Sequence, residues 1–187
     1  MLDLLKAIIS KVLMLTLVFS TTTVAIYAQD DILKDQSVHA AFFSETPIEN
    51  IEANNYNGQA VLDAKTGKIL FVITIKEFEF DKSLMQKHFN QQYLESDKYP
   101  EASFDGMIVD WEGIPSSKKV YDIEGTLSIH GVSREISEKA SLGPSGEGLT
   151  GKSTFKVLLE DYDIKVPKLV VKKIAEEIEV RVTANYN

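Results

Sequence analysis

The chain has 187 residues, 44% hydrophobic and 26% charged, with 10 Gly, 5 Pro and no Cys, values that exclude collagen-like, disulfide-stapled and largely disordered classes. Twenty Lys and Arg against 28 Asp and Glu give a net charge of −8, which opposes any electrostatic grip on phosphate backbones, so no nucleic-acid partner is expected. Lack of Cys rules out disulfides, thiolate metal sites and thiol nucleophiles, and leaves the redox compartment open.

Residues 1–28 differ from the rest. Lys6 and Lys11 precede the apolar run Val12 to Phe19 (VLMLTLVF), and small polar residues follow from Ser20 to Thr23. That order is expected of a secretory signal peptide, cleaved after Ala25 or Ala28. The run falls short of the ~20 residues of a spanning helix, although Ser20 to Tyr27 could lengthen it into a weaker anchor. The mature chain, 29–187, carries 18 basic and 27 acidic residues and is expected to form one exported domain, not a spanning membrane protein.

Along the mature chain the first strand is expected at Ser37 to Phe43. Gln59 to Leu62 and Lys68 to Phe80 flank Asp63-Ala-Lys-Thr-Gly67, a turn-rich connection that predicts a hairpin. From Ser83 the period changes: Leu84, Met85, His88, Phe89 and Tyr93 recur at spacings of three and four, with Ser83 and Gln86 placed as a capping box. A helix of about three turns is predicted there, ending before Pro100 and acting as a plug or lid.

Strands resume with Ala102 to Trp111. The clearest alternation is Tyr121 to Val132, where Tyr121, Ile123, Gly125, Leu127 and Ile129 share one face. Arg134 to Leu142, a turn at Leu142 to Gly148, then Phe155, Val157 and Leu159 continue the pattern. Ile178, Val180, Val182 and Ala184 mark a closing strand. About eight strands at short spacing predict an antiparallel sandwich or barrel.

Catalytic signals are weak. His39, His88 and His130 match no short metal-ligand spacing, so no metal is expected, and no cofactor motif is present. Carboxylate neighbours such as Glu176 and Glu177, or Asp161 and Asp163, show no pairing that would separate their pKa values. The aromatics Phe71, Phe89, Tyr93, Phe104, Tyr121 and Phe155 could share one interior. They either pack as a dry core or line a cavity, and an eight-stranded barrel is wide enough for either.

The stretches FFSETPIENIEA, LMQKHF, ESDKYPEASFDG, YDIEGTLSIHGVSREI and DYDIKVP, in this order, resemble the YceI-like family of lipocalin-like proteins over 38–184. The most specific parts are Lys98-Tyr-Pro100 leading to Phe104 and the segment Gly125 to Gly131. The resemblance implies an all-β fold, an antiparallel eight-stranded lipocalin-like barrel with one short helical insertion. It further implies a periplasmic or otherwise exported protein that holds an isoprenoid or fatty chain and has no established catalytic activity. Many members carry an Arg-Asp pair before the helix His. Met85 and Gln86 stand there instead, and Met cannot donate the fork of hydrogen bonds that a diphosphate takes from Arg. A neutral lipid, a fatty acid derivative or a quinone tail fits these residues at least as well.

The expected ligand-binding residues are therefore Phe71, Ile73, Phe89, Tyr93, Phe104, Tyr121, Ile123, Leu127, Phe155 and Val157 in the pocket, with Met85 and His88 at its mouth. The leading expectation is a carrier of a hydrophobic small molecule. Its main alternative is a non-catalytic structural or interaction barrel whose core is filled. A lipid-acting enzyme with His88 as base lacks a second group placed by sequence, and an outer-membrane barrel would show the same period with its apolar face outward. Oligomeric state stays open, a homodimer included.

Overall fold

Strands that alternate apolar and polar side chains can bury the apolar set within a single sheet only if that sheet closes on itself. The computed structural model, which describes residues 31–146, 148–166 and 174–187, has this closure. Residues 1–28, read as the signal peptide, lie outside the described residues.

In chain order come β1 (Ile32–Glu45), β2 (Asn50–Asp63), β3 (Lys68–Thr74), β4 (Glu79–Phe80), α1 (Ser83–His88), β5 (Glu101–Ile108), β6 (Lys119–Ile129), β7 (Val132–Ser145), β8 (Gly148–Leu158) and β9 (Glu177–Tyr186). The sheet runs β1-β9-β8-β7-β6-β5-β3-β2, and β2 pairs back onto β1. Eight antiparallel strands thus form the expected barrel. The two-residue β4 extends the β2 edge beyond β3, pairing Phe80 with Ala53.

Local chemistry explains where the chain departs from the expected elements. β2 begins at Asn50, well before Gln59: its first half (NIEANNYNG) is rich in residues of low strand propensity, which hides it in the sequence, and it is held as a strand by pairing with β1. The run expected from Lys68 to Phe80 breaks after Thr74 into a 3-10 turn, Ile75–Glu77. Tyr121 to Val132 is not one strand: the chain reverses at His130-Gly131, with φ of 54° and 77°, the pair of left-handed residues a tight hairpin requires. A Cβ on Gly131 would lie 2.5 Å from Tyr99 Cε1, so glycine is demanded by space as well.

The helix also differs from its prediction. α1 continues as a wider turn over Phe89–Tyr93, where Leu94 N–H donates to the carbonyl of Phe89 five residues back. The capping box does not form: Lys82 occupies the cap with no side-chain bond, which puts Ser83 inside the first turn. Leu84 points to solvent at 62% exposure, whereas Phe89 is buried.

Aromatic side chains pack at both ends of the barrel. At the helix end Phe89 packs on Phe42, Phe78 and Phe80 with ring centroids 5.0–5.7 Å apart. At the other end Trp111 donates its indole N–H to the Ala64 carbonyl at 2.8 Å and lies against Tyr121.

Candidate functional site

Inside the barrel lies a cavity of about 190 Å³. It touches Ile69, Leu142 and Tyr186 near the Trp111 end and Phe42, Phe89 and Ile164 near the helix end, so it follows the barrel axis. Close packing would bury every inward side chain completely, as it does Val38 and Leu62, both at 0% exposure. Phe71, Ile73, Ile136, Phe155, Val180 and Val182 also line the interior, yet each is only half-buried. Their remaining surface faces the cavity, and the interior is hollow. At about 10–15 Å³ for each enclosed water, it has room for roughly a dozen water-sized groups.

The expected pocket residues divide by position. Phe71, Ile73, Phe89, Phe104, Ile123, Leu127, Phe155 and Val157 line the cavity. Met85, His88, Tyr93 and Tyr121 stand off its lining. The helical segment buries Phe89 and Leu94 and leaves Met85, His88 and Tyr93 half-buried. Tyr121 is buried between Trp111 and the Lys119 ammonium at the far end.

Several lining residues escaped the sequence reading, among them Ile108, Ile136 and Glu138. The signal was present: Ile136, Glu138, Ala140 and Leu142 are one phase of β7, and Glu138 pairs with inward Ile123. An inward phase places a carboxyl in an apolar interior. Burial pushes the Glu138 carboxyl above the usual carboxylate range. Among the described residues it has no hydrogen-bond or ion-pair partner.

The barrel wall is uneven at the same place. The β6–β7 ladder runs the full length of β6, Lys119 to Ile129, whereas the β7–β8 ladder ends at Ala140 and Ser153. Beyond it, residues 132–139 and 154–158 are unpaired with each other. Arg134 bridges the bottom of this seam, donating from Nε to the Asp161 carbonyl at 2.8 Å.

His130 builds a clamp beside that point. Its Nδ1 lies 3.1 Å from the Tyr162 carbonyl and its Nε2 3.1 Å from a Glu95 oxygen, and its ring meets Tyr99 edge-on at 4.5 Å. The clamp ties the β6–β7 turn to the helix exit and to the 3-10 turn Leu159–Tyr162. His39 instead stacks on Tyr56 and contacts Asn54, on another part of the sheet. Among the described residues no group of three His, Cys, Asp or Glu is placed to hold a metal, and no helix is long and apolar enough to cross a membrane.

Fold and site together define a hollow antiparallel β-barrel with an apolar axial cavity and a helical plug. The YceI-like domain model matches residues 33–186, and the chain belongs to that family. A polyisoprenoid binding domain from Saccharophagus degradans, implicated in plant cell wall breakdown, superposes with a TM-score of 0.72 at 13% identity, over 84% of this chain and 98% of that one. Burkholderia cenocepacia BcnA gives 0.68 at 14% identity over 80% and 96%, and a Campylobacter jejuni YceI protein 0.58 at 22% over 75% and 88%. At these identities the likeness is one of fold. A UPF0312 protein of Pseudomonas savastanoi pv. phaseolicola is 35% identical over 97 residues, 48% of this chain and 45% of that protein. The chain thus aligns with under half of that relative's length.

Proposed function

We propose that the protein is an exported, non-catalytic carrier that holds a long apolar chain, such as an isoprenoid, quinone-like or fatty tail, inside its barrel. The observation that carries this reading is the axial cavity lined by half-buried aliphatic and aromatic side chains. The polyisoprenoid-binding relative from Saccharophagus supports the same ligand class. Each methylene moved from water into such a space contributes about 0.8 kcal/mol, so a dozen supply on the order of 10 kcal/mol before ordering costs. That force is non-directional and one methylene changes binding by only ~1 kcal/mol, so tail selection is loose.

Leu127→Trp tests the reading. In a hollow barrel the indole takes ligand space: lipid recovered by organic extraction and native mass spectrometry falls, while the urea midpoint barely moves. A filled barrel predicts the reverse, a loss of ~1–3 kcal/mol from overpacking with no lipid to lose. Repeated recovery of lipid-free wild-type protein from cells would also remove the carrier. Export is tested separately, by cell fractionation and by the intact mass of the purified chain, which processing after residue 25 or 28 would shorten.

A further inference from the structure

We propose that Glu138, at the unpaired β7–β8 seam, is the head-group site of the cavity and selects ligands whose polar end donates hydrogen bonds or carries positive charge. The inference rests on the carrier reading and deepens it from a tail to a head.

Three observations place the site. Glu138 faces inward among Ile123, Ile136 and Phe155, in a lining otherwise almost wholly apolar. It has no partner of its own among the described residues, so a bound donor need displace none. The wall beside it is the stretch where β7 and β8 have parted, between the last ladder pair, Ala140 with Ser153, and the Arg134–Asp161 bridge. A tail can lie along the axis while its head remains at this opening, next to the carboxylate.

Charge decides the chemistry of that head. Among the described residues the other charged one bordering the cavity, Lys152, pairs with Ser141 and Thr183, the outward phase of its neighbours, whereas Gly151 and Ser153 occupy the inward one. The inner face therefore presents an acceptor carboxylate with, among the described residues, no inward cation to balance it. A phosphate or carboxylate head would meet like charge there, and an ammonium, amide or hydroxyl would meet a free acceptor.

The experiment uses the full chain, delipidated, with dodecylamine, dodecanol and dodecanoate kept below their micelle concentrations at neutral pH. Binding is read by displacement of a fluorescent apolar probe. Wild type is expected to bind the amine at least tenfold more tightly than the carboxylate, with the alcohol between. Glu138→Gln, of equal size, is expected to bring the three within about twofold of one another. Glu124→Gln, on the outward phase of β6, removes the same charge from the outer surface and should keep the wild-type ratio. If wild type and Glu138→Gln show the same ratio, or if Glu124→Gln narrows it equally, the head-group site is overturned and the carrier stands. If none of the three chains displaces the probe in wild type, the carrier reading fails and takes this one with it.

Discussion

A buried carboxylate is stable in a fold only where hydrogen bonds replace its lost water, and Asp35 meets that condition. One oxygen accepts the Asn185 backbone N–H at 2.6 Å, and the other accepts the Ser37 N–H and hydroxyl at 2.8 and 3.1 Å. These bonds stitch β1 to β9 where the β1 register slips, between Asp35 and Val38. Burial and this same carboxylate push the Tyr186 phenol up. Asp35→Ala strands these donors and is expected to cost about 2–4 kcal/mol in urea unfolding. Glu138 is the opposite case, half-buried and, among the described residues, without partners. Its carboxyl is raised on folding, so the folded chain keeps that proton to higher pH than the unfolded chain. Stability is then lost as pH rises from the ordinary Glu range through the raised value. Glu138→Gln should unfold at higher urea than wild type at pH 7, and the difference should vanish below the ordinary carboxylate range.

At the scale of elements, the helical plug is held chiefly through Phe89. Its ring contacts Phe42, Phe78 and Phe80, while Leu84 is exposed and Met85 and His88 are half-buried. Phe89→Ala should cost about 3–5 kcal/mol in global stability if the plug unfolds with the barrel. If the plug opens independently, denaturant leaves the barrel midpoint nearly unchanged, and tail ligands dissociate faster. Stopped-flow release of the apolar probe separates the two. The sequence disclosed a helix here by its spacing of three and four, yet hid the turn's widening, because the same apolar residues fit either geometry until neighbours choose. Likewise, alternation located Tyr121 to Ile129 but ran through His130, since histidine is not a usual marker of a two-residue turn. Only the clamp on Tyr99, Glu95 and Tyr162 explains that residue, and those partners lie 31 to 35 positions away.

For the whole molecule, period two and strand number made the barrel legible, because a closed sheet is the simplest burial for eight half-apolar strands. Hollowness was not legible. Phe71 or Phe155 would alternate identically above a dry core, and the difference is set by the summed volumes of side chains from strands far apart in sequence. The seam was equally hidden, since β7 and β8 both alternate well where they do not pair. Its consequence is measurable. A barrel bonded evenly around its ring should open all at once, but here the wall is missing rungs beyond Ala140 and Ser153, beside a ladder that joins β6 to β7 throughout. Native-state hydrogen exchange should therefore find the amides of 132–139 that face β8 exchanging far faster than their neighbours facing β6. Among the described residues those amides have no strand partner to break first, so their rates should follow local access rather than the global unfolding free energy. Adding a bound twelve-carbon chain should slow them more than the β8–β9 amides, if ligand covers the seam from inside. Uniform protection around the ring, with or without ligand, would mean that the wall is continuous in solution and that entry must pass through one of the two ends.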